Sequence, residues 1–316
     1  MSIIAIDFGG TNIKLGIIDK DILQSVRIIS AESSQGIRPK LIQVKNEVFD
    51  MLRERDLSLE HIDAVGVAIP GIVNVKTKRV IAMNQKYNDA IETDFEAWAK
   101  EAFGLPVLLE NDTKSAIVGE IAYGCAKGVT DAVLMSFGTG VGTAAVVNGE
   151  LLRGKHFQAG CLGGHIIIDV NGPMCTCGNK GCLEAHAGTW ALPAIARDRN
   201  GFFQSKLAKC EVVDYKSLSA CMAQGDEFSK SLFEYLLTCG GAGAVNLIHA
   251  YDPEVVILSG GLMKDKDLVL PYIKEYVERY AWMPWGQVDL KVAENPDFSV
   301  VFGLSSLCSK MIEKNG

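Results

Sequence analysis

The chain makes the same bend twice. Ile3-Ile4-Ala5-Ile6-Asp7-Phe8 is a short apolar run, followed by Gly9-Gly10-Thr11 and then by a second apolar stretch, Asn12 to Asp19. Leu134-Met135-Ser136-Phe137 is followed in the same way by Gly138-Thr139-Gly140 and by Val141 to Val147. At an offset of 129 residues Phe8 falls on Phe137, Gly9 on Gly138, Ile17-Ile18 on Val146-Val147, Asp19 on Asn148 and Ile22-Leu23 on Leu151-Leu152. Runs this short, bounded by glycine, read as buried strands joined by a turn. Their repetition implies a duplicated domain, with two hairpins facing one another. A Gly-Gly-Thr bend also presents consecutive backbone N–H groups, a concavity that suits phosphate oxygens. Plain hairpin turns that resemble one another by chance are the simpler alternative.

A length of 316 residues agrees with two domains of about 150 residues each. With 48% hydrophobic and 22% charged residues, the chain has enough apolar material for a sizeable core and too little charge for disorder. The net charge of −7, without a Lys/Arg run, argues against a nucleic-acid partner. Met1-Ser2 leads straight into an apolar strand without a basic segment, and the sequence suggests no membrane span. Nine cysteines, an odd number, suit a reducing cytosol better than a disulfide framework. A cytoplasmic protein with no membrane partner is the expectation.

Between and after the two bends, apolar strands alternate with helical patterns, as in α/β domains. Residues 37–55 read as a helix, 64–69 as a strand ending at Pro70-Gly71, 95–103 as a helix and 107–110 as a strand. That strand delivers Asn111-Asp112 to the start of a helix running to about Tyr123. A carboxylate at a strand's carboxyl end sits where α/β sheets put their chemistry, although Asp112 would also serve as a helix N-cap. Farther on, His165 precedes Cys175-Thr176-Cys177-Gly178-Asn179-Lys180-Gly181-Cys182-Leu183-Glu184. Three thiols and an imidazole match the Cys₃His set of a closed structural zinc site. Such a site would be a staple, and it would fix Glu184 and His165, two polar groups able to reach a ligand. Three inert buried cysteines beside a histidine are the bland alternative. Residues 252–262 form a last apolar strand ending in Gly260-Gly261, a turn that either admits a flat ring such as adenine or merely ends the strand.

Taken in order, these segments resemble the ROK family of sugar kinases (repressor, open reading frame, kinase), in the actin/hexokinase-like superfamily. The likeness covers essentially the whole chain. Asp7-Phe-Gly9-Gly10-Thr11-Asn-Ile-Lys14 is similar to the family's first phosphate motif, and Gly138-Thr139-Gly140-Val-Gly142 to its second. Asn111-Asp112 matches its sugar-binding and catalytic pair, and Asp252-Pro253-Glu254 through Gly260-Gly261 its adenosine segment. Gly164-His165, Gly172-Pro173 and the cysteine run ending in Glu184 match its zinc signature, the most specific of these features.

The resemblance implies an α/β, actin/hexokinase-like ATPase fold of two similar lobes with a cleft between them. The expected boundaries are 1–115 for the first lobe, joined by a carboxyl-terminal helix at 303–316, and 116–302 for the second. It also implies an ATP-dependent kinase for a sugar hydroxyl, most often the 6-hydroxyl. Asp112 would be the general base. Asp7 would hold Mg²⁺ through water. Gly9, Gly10, Thr11, Gly138, Thr139 and Gly140 would cradle phosphates, and Gly260 and Gly261 would meet the adenosine. Lys14 is a further phosphate contact or a solvated side chain. Gly71, Asn84, Asn111, His165 and Glu184 would line the sugar site, and His165, Cys175, Cys177 and Cys182 would hold structural Zn²⁺. Homodimers are common in the family.

Three positions depart from the family pattern. Leu162 stands where a sugar-binding Glu is common, Thr113-Lys114 where Ala-Asn is usual, and Gly303-Leu304-Ser305 where Gly-Ala-Ala is usual. The first puts the identity of the sugar in question and opens N-acetylhexosamines, fructose and β-glucosides as substrates. A catalytically silent sugar sensor is the alternative function. A repressor of this family carries a helix-turn-helix ahead of the kinase-like body, and Asp7 lies close to Met1.

Overall fold

Each glycine bend joins the first two strands of a five-stranded sheet in the computed structural model, which describes residues 1–315. In the first half, β1 (Ser2–Phe8), β2 (Asn12–Asp19) and β3 (Ile22–Ser30) form an antiparallel meander. Then come α1 (Arg38–Arg53), β4 (Ala64–Ile69), the small ribbon β5 (Gly71–Asn74) and β6 (Arg79–Met83), α2 (Phe95–Phe103), β7 (Val107–Asn111) and α3 (Asp112–Tyr123). The sheet order is β3-β2-β1-β4-β7, with β1–β4 and β4–β7 parallel. β4 is buried along its whole length, as its unbroken apolar composition requires of a central parallel strand. β3, at the edge, leaves Ile22, Val26 and Ile28 exposed. α2 begins where the Asp94 side chain accepts a hydrogen bond from the Ala97 N–H and ends on Gly104 at φ 70°, a left-handed cap that glycine adopts without strain.

In the second half, β8 (Ala132–Phe137), β9 (Val141–Val147) and β10 (Glu150–Leu151) form the meander. They are followed by α4 (Leu183–Ala187), α5 (Leu192–Arg197), α6 (Tyr215–Ala223), α7 (Glu227–Tyr251), β11 (Val255–Gly260), α8 (Lys266–Tyr280) and β12 (Asp289–Val292). The order β10-β9-β8-β11-β12, with β8–β11 and β11–β12 parallel, repeats that of the first sheet strand for strand. The duplication suggested by the two bends is a duplication of topology. α9 (Ser299–Asn315) closes the described chain.

The chain divides into two units whose boundaries differ from those expected. One comprises residues 1–128, 153–159 and 294 onward, and the other comprises 129–152 and 160–293. The expected break at 115 falls inside α3, because α3 packs along α9 through small residues. A Cβ on Gly119 would strike the Ser299 carbonyl, and one on Gly303 would strike the Ser115 carbonyl. Gly303, the one residue of Gly303-Leu304-Ser305 that keeps the family pattern, is thus required by a close helix crossing. Buried Glu120 of α3 fastens the pair by accepting hydrogen bonds from the Ser299 hydroxyl and the Glu294 N–H. The carboxyl-terminal helix therefore starts at Ser299 rather than 303, and Gly316, its expected last residue, lies outside the described residues. Residues 153–159 join the first unit because Arg153 binds Glu110 and the Phe157 carbonyl accepts from the Lys114 ammonium at 2.9 Å.

α7 is long and apolar enough to cross a membrane by length and composition alone. In the fold it is the core helix of the second unit, with Leu232, Phe233, Leu236, Leu237, Leu247 and Ile248 buried against the sheet and its neighbours.

Candidate active site

In the first unit the parallel register brings the carboxyl ends of β1, β4 and β7 to one edge, with Asp7 opposite Ala68 and Ile69 opposite Asn111. Asn111, rather than Asp112, is the N-cap of α3: its side-chain oxygen accepts from the Lys114 N–H at 3.0 Å. Its side-chain nitrogen donates to the Gly71 carbonyl at 3.0 Å, and its own N–H donates to Glu110 at 2.9 Å. Glu110 is buried and held by Arg153 through Nε at 3.1 Å and Nη2 at 2.6 Å. This network fixes Asn111 and Gly71 together. Asn84 follows Met83, the cross-strand partner of Gly71, and is exposed at the same end of the ribbon.

Freed from capping, the Asp112 carboxylate accepts from its neighbour Thr113, through N–H at 2.7 Å and hydroxyl at 3.2 Å. Burial raises its pKa, opposed by the Thr113 hydrogen bonds and by the charge of Lys86. Asp7 is also buried, and its pKa is pushed up to about 7, first by burial and second by the charge of Asp112, while Lys14 pulls it down. Two carboxylates close enough to feel one another form a site that favours a cation or a shared proton.

The first turn exposes its amides. The Gly9 N–H donates to the Asp7 carbonyl at 3.1 Å, but the N–H groups of Gly10 and Thr11 have no protein acceptor among the described residues. Lys14, opposite Asp7 on β2, is ion-paired with Asp297 at 3.0 Å. Two residues that the sequence reading passed over belong here. Tyr87 is buried and donates from its hydroxyl to the Gly9 carbonyl at 2.9 Å, and the Lys86 ammonium lies over Gly10. Their only sequence signal is that they follow Asn84 by two and three residues.

The second unit has the same turn with different supports. The Thr139 and Gly140 N–H groups have no protein acceptor among the described residues. The carbonyls of Gly138 and Thr139 instead accept from the N–H groups of Thr189 and Trp190, each at 3.1 Å. A Cβ on Gly138 would meet no atom within 4 Å, whereas one on Gly140 would strike the Glu184 carboxylate. Glu184 accepts from the Val141 N–H at 3.0 Å, from the Trp190 indole at 3.3 Å and from the Thr176 hydroxyl at 3.4 Å. Gly260 is paired with Phe137, so Gly260-Gly261 lies beside the turn. Its φ of +90° and its approach to the Phe137 backbone require glycine. Tyr215 borders Gly261.

His165, Cys175, Cys177 and Cys182 come together with all four donor atoms within 4.8 Å of one another. Cys177 Sγ lies 3.6 Å from Cys182 Sγ, and Cys175 Sγ lies 3.5 Å from His165 Nδ1. Tetrahedral zinc with thiolates at about 2.3 Å and imidazole at about 2.0 Å sets donors roughly 3.5–3.8 Å apart, so the four residues fit that ion. Burial, followed by the neighbouring thiols, pushes the Cys182 thiol up to about 12. A divalent cation reverses that penalty by binding thiolates. Glu184 stands two residues after Cys182, at the start of α4, so the cluster and the second turn share one short support.

Two sheets of one strand order, each with an open glycine turn after its first strand, define the hexokinase-like ATPase fold. The sequence profile of the ROK family matches residues 3–311, and the chain belongs to that family. It is 28% identical over 291 residues to a glucokinase of Thermotoga maritima, covering 89% of this chain and 88% of that one. It is also 28% identical over 222 residues to the xylose repressor of Bacillus subtilis, covering 70% of this chain and 54% of that one. This chain therefore spans about half the length of that repressor. Among solved structures, a ROK hexokinase from Thermus thermophilus superposes with a TM-score of 0.77 at 27% identity over the whole of both chains.

Proposed function

We propose that this protein is an ATP-dependent sugar kinase that phosphorylates a hydroxyl group, the 6-hydroxyl of glucose or of a related hexose. The observation that carries the reading is Asp112, a carboxylate relieved of capping by Asn111 and set beside Asp7 and an open phosphate turn. The glucokinase relatives, matched over about nine-tenths of the chain, support it.

In this reading the sugar hydroxyl oxygen attacks the terminal phosphorus of ATP. Its proton passes to Asp112, and the bond to the bridging oxygen breaks with the electron pair leaving on ADP. Transfer of this kind needs mainly positioning and charge neutralisation. Asp7 would hold Mg²⁺ through water, and the bound ion supplies positive charge to the phosphates. Gly9, Gly10 and Thr11 in one unit, and Gly138, Thr139 and Gly140 in the other, offer N–H groups to phosphate oxygens. Gly260 and Gly261 would receive the adenosine. Lys14, already paired with Asp297, would act by tempering the charge of Asp7.

Gly71, Asn84, Asn111, His165 and Glu184 would bind sugar hydroxyls, and each such group left unpaired when buried costs about 1–3 kcal/mol. With Nδ1 turned to the thiols, His165 keeps Nε2 for this role. Zn²⁺ on His165, Cys175, Cys177 and Cys182 would hold that ring in place. The nine free cysteines support a cytoplasmic location. The homodimer implied by the family is tested by sedimentation velocity.

The second reading, a sugar sensor without turnover, is favoured by the match to xylose repressors. An ADP-release assay across a panel of hexoses, N-acetylhexosamines and β-glucosides separates the two. Sugar-dependent ADP formation is the expected result. Sugar binding without ADP formation for any panel member would replace the kinase by the sensor.

A further inference from the structure

Lys86 lies against the first glycine turn. Its ammonium runs across the first turn: a Cβ placed on Gly10 would lie 2.6 Å from Nζ, 2.8 Å from Cε and 3.2 Å from Cδ. The backbone that delivers it is pinned on both sides. Tyr87 donates from its hydroxyl to the Gly9 carbonyl at 2.9 Å and meets Phe8 edge-on at 5.9 Å, and its N–H donates to the Ser33 carbonyl at 2.9 Å. Ser33 in turn donates from its hydroxyl to the Gly10 carbonyl at 2.9 Å. Segment and turn are therefore one unit, and the lysine stem has a fixed origin.

The ammonium is uncommitted. Lys14 is paired with Asp297, Lys40 with Glu32, and Lys114 with the Phe157 carbonyl. Lys86 has no hydrogen bond or ion pair among the described residues. It lies against Gly10, whose N–H, like that of Thr11, has no acceptor among the described residues, and its charge reaches Asp112. Three donors without acceptors, gathered beside a carboxylate, suit an anion with several oxygens arranged tetrahedrally. An ammonium on a flexible stem can also follow such a group as it moves.

We propose that Lys86 contacts the terminal phosphoryl group of ATP and neutralises its charge during transfer. The inference rests on the kinase reading for the identity of that anion. Of the three phosphoryl groups only the terminal one must approach the hydroxyl that Asp112 deprotonates, and Lys86 both lies against the turn and acts on Asp112 by its charge. The same charge works against the rise that burial imposes on Asp112, so it also favours the ionised base.

The test uses the full zinc-loaded chain and the variants Lys86→Met, Lys86→Gln and Lys86→Arg. Calorimetry compares the affinity of each for a non-hydrolysable ATP analogue and for ADP, both with Mg²⁺. A charged contact confined to the terminal group predicts that Lys86→Met and Lys86→Gln weaken the analogue roughly tenfold or more, leave ADP within about twofold, and that Lys86→Arg recovers much of the loss. On a sugar that the wild type phosphorylates, kcat should fall by about 10²–10³. The acid limb of the kcat/KM profile should move to higher pH, with sugar affinity unchanged. Equal weakening of both nucleotides, weakening of neither, or a wild type that does not bind the analogue overturns the proposal. Loss of analogue selectivity in a chain that turns over no sugar would keep the phosphoryl contact and remove the kinase reading. Normal turnover with unaltered selectivity would do the reverse.

Discussion

Asp7 stands before the first glycine turn, and Ser136 stands at the matching place before the second. The strands around them have the same order and directions, so the difference is one of side chains hung on a shared frame. In the first unit the strand ends carry the titratable groups: Asp7 on β1, Asp112 just after β7, and Lys86 lying over the turn. In the second unit Ser136 replaces the carboxylate, and the turn is held by two carbonyls that accept from Thr189 and Trp190 and by a Glu184 that accepts three hydrogen bonds. The lesson is that a duplicated topology need not duplicate a function. The two interacting carboxylates gather in one copy, and in the other the turn lies beside the Cys/His cluster.

If that division is right, the largest effect follows from removing the base. Asp112→Asn keeps the shape of the side chain, and the N-cap is unaffected because Asn111 provides it. Turnover should fall by about 10²–10⁴ while sugar affinity changes little. Near-normal turnover combined with a lowered melting temperature would move Asp112 from chemistry to structure and erase the contrast between the units.

The next effect belongs to the second unit. Purified protein should contain about one zinc per chain, and Cys177→Ser should destabilise the loop that carries Glu184. A loss of about 3 kcal/mol, large for a point substitution, corresponds to roughly 6–12 °C in melting temperature for a unit of this size. Metal analysis finding no zinc in protein purified without chelators would reduce the cluster to inert cysteines.

A smaller effect distinguishes the two turns by pH. The carboxyl group of Asp7 has its folded pKa raised from 3.8 to about 7. The protonated form is therefore the one that folding favours. Its contribution to stability is fully present below about pH 4 and is lost as pH rises through 7. In magnesium-free buffer, the difference in unfolding free energy between wild type and Asp7→Asn should change across that window, and Mg²⁺ should bind more tightly toward its upper end. Ser136→Ala should leave the pH dependence of stability unaltered. A window of the same size in both variants would mean that Asp7 does not feel its burial.

Much of this arrangement was legible in the sequence because it depends on local patterns. Strand 64–69 is marked by its unbroken apolar run and helix 95–103 by its helical pattern, and the structure places both at those residues. The cysteines and His165 are close in sequence, so their convergence costs little chain entropy and their spacing announces it. What stayed hidden depends on contacts across long separations. The return of residues 153–159 to the first unit rests on Arg153 meeting Glu110, and the true length of that unit rests on Gly119 meeting Gly303. Lys86 was invisible for the same reason: a lone lysine after an asparagine carries no pattern, and only the fold lays it on Gly10.

The smallest expected effect concerns substrate choice, at Leu162. It is exposed, at 39%, and immediately precedes the short turn Gly163–His165, whose last residue belongs to the Cys/His cluster. A Glu there would offer sugar hydroxyls a charge-assisted acceptor, typically worth about 1.5–3 kcal/mol per bond. Leucine offers none, so sugars that need the contact should be disfavoured and those with an apolar or acylated substituent at that position better tolerated. Leu162→Glu should then shift relative kcat/KM toward unsubstituted hexoses by roughly tenfold, with little change in stability because the side chain is solvated on one face. The comparison to make is the order of rates for glucose, mannose, fructose, N-acetylhexosamines and β-glucosides before and after the substitution. If that order is unchanged, Leu162 does not face the sugar, and the specificity argument built on it falls.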